Sequence, residues 1–235
     1  MRVNSMKKYG IIIMAFVLAI TLSACGSKDK AKNTDKADKA QQEIKVSKDE
    51  KVPNDKPVAD INNHKIYGKH YNSMYVQTKM QLAQYGQDIN DKKAVKKQTL
   101  QELIAQELLR QDAKAKGVTV SDKEVDDELA KVKHQYQDQF NNYLKQFKLT
   151  EDGYKQQIKY SLILNKYLSK EFKNPKVTDK EVKDTFNKLK KQNKDLKFDE
   201  VKDSIKKSIV QQKQNAFLQD KLNDLQKDAK IKELI

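Results

Sequence analysis

The feature that most limits what this chain can become is the spacing of Leu100, Leu103, Ile104, Leu108 and Leu109. Steps of three and four put these side chains on one side of a helix. They form the densest apolar group outside the N-terminal run, and Val95, Thr99 and Gln111 extend the same face. A helix with such a stripe has to bury it against other elements, so residues 91–116 are expected at the centre of the core, with Gly117 as the stop.

The same spacing recurs along most of the chain. Residues 69–85 align Tyr71, Met74, Tyr75, Thr78 and Leu82. A segment holding Phe140, Tyr143, Leu144 and Phe147 reads as a short helix, and residues 150–172 as a longer one carrying Tyr154, Ile158, Ser161, Leu162 and Leu168. Residues 199–228 form a helix of ~45 Å at ~1.5 Å per residue. Its apolar stripe is broken: Val201, Ile205 and Ile209 are separated from Leu218, Leu222, Leu225 and Ala229 by the polar Gln211–Asn215 stretch, so the helix should serve two packing regions. "VADINNHKIYG", residues 58–68, reads as a small hairpin turning at Asn62 and Asn63, and "KIKELI", residues 230–235, as a short strand that would join it.

"VSDKEVDDEL", residues 120–129, and "VTDKEVKDTF", residues 177–186, nearly repeat one another. Ser121 with Glu124 and Thr178 with Glu181 are capping boxes. The flanks do not match, so the likeness is a shared way of starting a helix and not a duplicated domain.

The N-terminus has its own logic. Arg2, Lys7 and Lys8 precede an apolar run over residues 11–22, half the ~20 residues that cross a bilayer. The run ends in Leu22, Ser23 and Ala24, followed by Cys25, the one cysteine of the 235 residues. These residues resemble the lipobox of bacterial lipoprotein precursors. The resemblance implies a signal peptide over residues 1–24, lipid on the Cys25 sulfur, and anchoring to the extracytoplasmic face of a cell membrane. Beyond Cys25, residues 25–56 contain almost no large apolar side chains and read as a disordered tether, leaving residues 57–235 as the folded domain.

Net charge is +15, and +12 without Arg2, Lys7 and Lys8. Arginine occurs only at positions 2 and 110. Arginine is the bidentate reader of phosphate, and the lysines mostly alternate with acids as on a solvated face, so nucleic acid is not an expected partner. Anionic lipid near the anchor suits the charge better. The lysine-rich, arginine-poor composition points to a Gram-positive bacterium.

Catalytic chemistry is hard to find. His64, His70 and His134 sit in separate elements without metal-ligand spacing. Six glycines leave no phosphate-cradling loop, no Gly-x-Ser-x-Gly elbow occurs, and the carboxylates fall at caps or beside lysines. No metal, no cofactor and no catalytic residue are expected.

Taken in order, "VADINNHKIYGKHYNSM", "KKQTLQELIAQELLRQDAKAKGVTVSDKEVDDELAKVKHQY" and "DQFNNYLKQFKLTEDGYKQQIKYSLILNKYL" resemble the SurA/PrsA-type foldases, whose N-terminal chaperone region is trigger-factor-like. The likeness covers residues 58–186 and 198–235. In that family "V-T-D-x-E-V" leads into a parvulin-type prolyl isomerase domain. Here only "NKLKKQNKDLK" separates Phe186 from Phe198, against the ~50 residues a globular domain needs. The resemblance therefore implies a mainly α, SurA N-terminal-like helical chaperone domain with a small β element, a long C-terminal helix and no parvulin insertion. Its partners would be unfolded or nascent secreted polypeptides, with a homodimer sharing the apolar concavity as a further expectation. Candidate client contacts are Tyr71, Met74, Tyr75, Met80 and Tyr85 on one helix and Tyr136, Phe140, Tyr143 and Phe147 in the middle segment. Each of these, taken singly, also has the spacing of a core residue. The rival readings are a prolyl isomerase by descent and a scaffold lipoprotein with one dedicated partner.

Overall fold

The computed structural model describes residues 44–173 and 175–235. The signal segment 1–24 with Leu22, Ser23 and Ala24, the lipidation candidate Cys25, and the tether over residues 26–43 lie outside the described residues.

Among the described residues the order of elements is a 3-10 turn (Lys48–Glu50), β1 (Pro57–Ile61), β2 (His64–Tyr67), α1 (Gly68–Gln84), α2 (Lys92–Ala115), α3 (Asp122–Tyr136), α4 (Gln139–Gln146), α5 (Glu151–Glu171), α6 (Asp179–Gln192), α7 (Phe198–Asp228) and β3 (Ile231–Glu233). The fold is mainly α, as the periodicity requires.

Helix α2 is the hub: it packs on α1, α5, α7 and β1. Its stripe Val95, Leu100, Leu103, Ile104 and Leu108 joins Val58, Ala59, Ile61, Tyr71, Tyr75 and Leu222 in the main core. One turn further on, Leu109 and Ala113 join Leu164, Tyr167 and Leu218 in a second. Asp112 ties the three helices of that junction together, accepting from the Tyr167 hydroxyl at 2.5 Å and facing Lys221 at 3.6 Å.

The strands form one antiparallel sheet in the order β2-β1-β3. Asn62 and Asn63 make the two-residue hairpin turn with φ of 54° and 64°, the left-handed pair that such a turn demands and that asparagine tolerates. Asn62 also exchanges hydrogen bonds with Lys230, its N–H donating to the Lys230 carbonyl and its Oδ1 accepting from the Lys230 N–H. The strand expected at the C-terminus therefore does pair with the hairpin, Ile61 opposite Ile231.

Helix α7 serves two regions, as its broken stripe implies. Near its start Ile205 and Ile209 pack with Val182 of α6, flanked by Phe186, Phe198 and Val201. Near its end Leu218 and Leu222 are fully buried in the second and main cores. Helices α6 and α7 thus form an arm joined at its tip by residues 193–197.

One boundary needs correction. The tether was expected to extend to Lys56, yet residues 44–56 lie as a strap across α1. Val46 and Val52 pack on the main core, and the Asn72 amide grips the Val52 backbone, Nδ2 donating to its carbonyl at 2.7 Å and Oδ1 accepting its N–H at 2.9 Å. The strap also caps α1, which has no side-chain cap: Gly68 and Lys69 donate their N–H groups to the Lys56 and Asn54 carbonyls. Gly68 is required here, because a Cβ would stand 2.0 Å from the Pro53 carbonyl oxygen. Composition misled because the strap is fastened by charge. Glu50, almost fully buried, accepts from Lys79 Nζ at 2.6 Å, from the Tyr75 hydroxyl at 2.8 Å, and from both the hydroxyl and N–H of Ser47. A carboxylate with that many donors can leave water.

Candidate functional site

The nine candidate contact residues fall into two groups by position, and each group is divided by burial. On α1, Tyr71 and Tyr75 are core residues, their rings 5.6 Å apart and both under the strap. They are corrected from surface contacts to packing residues, since the face at that spacing is the one the strap covers. Burial pushes the Tyr71 hydroxyl up to about 12, with the Glu50 charge adding to it. Met74 leans on the main core and Met80 is half-buried. Tyr85, just past the end of α1, is 54% exposed.

The middle group comes together. Helix α4 is folded back on α3 through Gln137 and leads to α5 through Lys148, both at positive φ (47° and 50°). These two turns bring residues from three helices into one aromatic cluster. Tyr143 is its centre, 4.5 Å from Phe147, 5.6 Å from Tyr136 and 5.9 Å from Tyr154 between ring centroids. Phe140 meets Tyr154 edge-on at 5.6 Å. Phe140 and Tyr154 are buried and form the floor; Phe140 is therefore also corrected to a core residue. Tyr136, Tyr143 and Phe147 remain partly exposed above it. Edge-to-face and tilted pairs of this kind hold the rings in place, so the exposed edges form a preformed apolar surface with hydroxyl groups at its rim. Burial raises the Tyr143 hydroxyl, with the neighbouring Tyr136 adding to it, and it stays a neutral donor at physiological pH.

The strap begins beside this surface. Lys148 Nζ donates to the Ile44 carbonyl at 2.5 Å and Lys79 Nζ to the Lys45 carbonyl at 2.8 Å. Helices α1 and α5 are also held close there: Lys69 pairs with Asp152 at 3.2 Å, and a Cβ on Gly153 would meet Ser73 Oγ at 3.1 Å.

A cleft the sequence did not announce lies between the end of α5 and the middle of α7. It has a volume of about 580 Å³, with Leu164, Leu168 and Phe172 on one side and Gln211, Gln214 and Asn215 on the other. The polar break in the α7 stripe was its trace in the sequence. Among the described residues no group of three or more His, Cys, Asp or Glu side chains could hold a metal ion. No described helix is long and apolar enough to cross a membrane. The arrangement can bind apolar and aromatic groups by contact.

The profile of the SurA-like N-terminal domain matches residues 1–168. The chain belongs to the SurA-like N-terminal domain family. Among curated proteins it is similar to the Foldase protein PrsA of Caldanaerobacter subterraneus subsp. tengcongensis, 38% identical over 148 residues, which cover 58% of this chain and 44% of the relative. It is also similar to the Foldase protein PrsA 2 of Bacillus anthracis, 42% identical over 81 residues, or 34% of this chain and 27% of the relative. The Foldase protein PrsA 2 of Bacillus cereus is 40% identical over the same length. The chain thus spans less than half the length of the curated relatives it matches. The SurA-like match includes the hairpin, α1 to α4 and the aromatic cluster, and ends inside α5. Beyond it, α7 and β3 return Leu218, Leu222 and Ile231 to the SurA-like part.

Proposed function

We propose that the chain is a chaperone that binds unfolded secreted polypeptides and assists their folding without isomerising prolines. The observation that carries this reading is the aromatic cluster centred on Tyr143, a rigid and partly exposed apolar surface in a SurA-like domain. An unfolded client would lay apolar side chains against Tyr136, Tyr143 and Phe147, with Met74, Met80 and Tyr85 as further contacts. Tyrosine suits the role because it offers both a ring and a hydrogen bond, and methionine because it adapts to varied partners.

In this reading Cys25 carries lipid and holds the domain on the extracytoplasmic face of the membrane. Residues 26–43 tether it there. The direct passage from α6 to α7 through residues 193–197 leaves no room for an isomerase domain at that point of the chain. Two copies could share one client by facing their aromatic surfaces together.

The test is aggregation of a chemically unfolded secreted protein in the presence of residues 26–235. The described cores lie within residues 46–235, so this shorter chain retains them. Suppression at near-stoichiometric ratios is expected, and no suppression across several clients overturns the reading in favour of a scaffold with one partner. The word foldase in the relatives' names favours a second reading, prolyl isomerisation. Acceleration of a proline-limited refolding reaction by the same chain would establish it. Loss of palmitate labelling in Cys25→Ser tests the anchor.

A further inference from the structure

We infer that the tip of the α6–α7 arm is a docking surface for anionic phospholipid. Residues 187–197, "NKLKKQNKDLK", hold five lysines against one aspartate. On α3 and α5 several exposed lysines are paired with acids: Lys123 with Asp127, Lys155 with Asp126 and Lys159 with Asp122. Of the five lysines at the tip, Lys197 pairs with Glu200 at 3.1 Å. Lys188, Lys191 and Lys194 are exposed and have no ion pair among the described residues.

An apolar residue lies among them. Leu189 continues the Val182–Phe186 stripe of α6 by one further step, but it is not packed in the arm's core and is 39% exposed. It is one of only four large apolar side chains this exposed among the described residues. The tip is also held in shape. Phe186 and Phe198 meet edge-on at 5.1 Å, Lys190 and Lys202 lie over their faces, and Lys190 Nζ donates to the Leu196 carbonyl at 2.7 Å.

Unpaired lysines around a protruding leucine match the boundary of a bilayer, where the ammonium groups stay among headgroups while the apolar residue enters below them. The absence of arginine from the tip favours a diffuse negative surface over a discrete phosphate group, which a guanidinium fork would grip. A lysine close to an anionic leaflet contributes several-fold to partitioning, so three should contribute at least about tenfold after screening.

The inference goes beyond the chaperone reading and does not depend on it. The test is cosedimentation of residues 26–235, which lack Cys25 and therefore any acyl chain, with large vesicles. Vesicles of phosphatidylglycerol mixed with phosphatidylcholine should bind the chain, vesicles of phosphatidylcholine alone should not, and binding should vanish by about 0.5 M salt. The triple variant Lys188→Gln, Lys191→Gln, Lys194→Gln should lose at least tenfold, and Leu189→Ser several-fold with the charge unchanged. A control with Lys65→Gln, Lys93→Gln and Lys114→Gln should retain binding, and all variants should suppress client aggregation like the parent. Equal losses in the tip and control variants would overturn the inference, since net charge would then suffice. So would binding of soluble polyphosphate, or of an acidic polypeptide, without binding of vesicles.

Discussion

Lys166 on α5 and Lys213 on α7 make the same two contacts on two different helix starts. Lys166 pairs with Glu124 of the first capping box and donates to the Thr119 carbonyl; Lys213 pairs with Glu181 of the second, at 2.7 Å, and donates to the Lys176 carbonyl. Each carbonyl lies two residues before its cap. The repeated sequence device is therefore also a repeated docking device, which fixes where the capped helix starts against its neighbour. The Lys166 and Lys213 ammonium groups hold the Glu124 and Glu181 carboxyls at about 2. Ser121→Ala and Thr178→Ala should each lower stability by about 1 kcal/mol in denaturant titrations.

Glu50 should dominate the acid sensitivity of the strap. Burial alone would raise its carboxyl, but Lys79, Ser47 and Tyr75 outweigh it and hold it at about 2, against 4.5 when unfolded. The stabilisation it gives is complete above the unfolded value and is lost as pH falls from 4.5 towards 2. Glu50→Gln should flatten that part of the pH profile. At neutral pH, Lys79→Met should cost about 3 kcal/mol or more, because it leaves a buried charge unpaired. Lys79→Met combined with Glu50→Leu should cost less than the sum of the two.

Gly68→Ala should detach the strap, since its Cβ cannot coexist with the Pro53 carbonyl. A loss of about 2 kcal/mol or more is expected, with faster tryptic cleavage after Lys48 and Lys51 of the strap and unchanged helix content by circular dichroism.

Gln137 offers a change in the opposite direction. Its φ of 47° with ψ of −127° is backbone that glycine adopts freely and a side chain with a Cβ resists. Gln137→Gly should raise stability by about 0.5–1 kcal/mol, read as a higher urea midpoint at constant slope.

The aromatic cluster gives the functional contrast. Tyr143→Ala and Phe147→Ala should weaken suppression of client aggregation while the domain stays folded. Phe140→Ala should instead cost about 3 kcal/mol or more of stability, because it removes the buried floor.

The helices were legible because their apolar steps and caps are local: Ser121, Thr178 and Gly117 fall where α3, α6 and the end of α2 need them. The strap was not, because what fixes it is a pair 29 residues apart, Glu50 and Lys79, and charge in a polar segment looks the same whether it is solvated or paired. The same gap explains the site. Periodicity placed Tyr71 and Tyr75 on one face of α1, but only the strap determines that this face is covered. For Tyr136, Tyr143 and Phe147 the outcome hangs on two turns at Gln137 and Lys148, residues with no sequence mark of a left-handed backbone.

The middle position of β1 has a consequence for how the chain comes to be folded. Its two partners differ greatly in distance along the chain: β2 follows at once, while Ile231 lies 170 positions beyond Ile61. A chain threaded out N-terminus first can make the hairpin and most of the helical contacts early. It cannot close the sheet until Ile231–Glu233 have emerged, because that loop must be shut before the strand contributes. For that interval one edge of β1 is open to any passing strand, so a protein proposed to shelter others during export would itself pass through an unguarded stage.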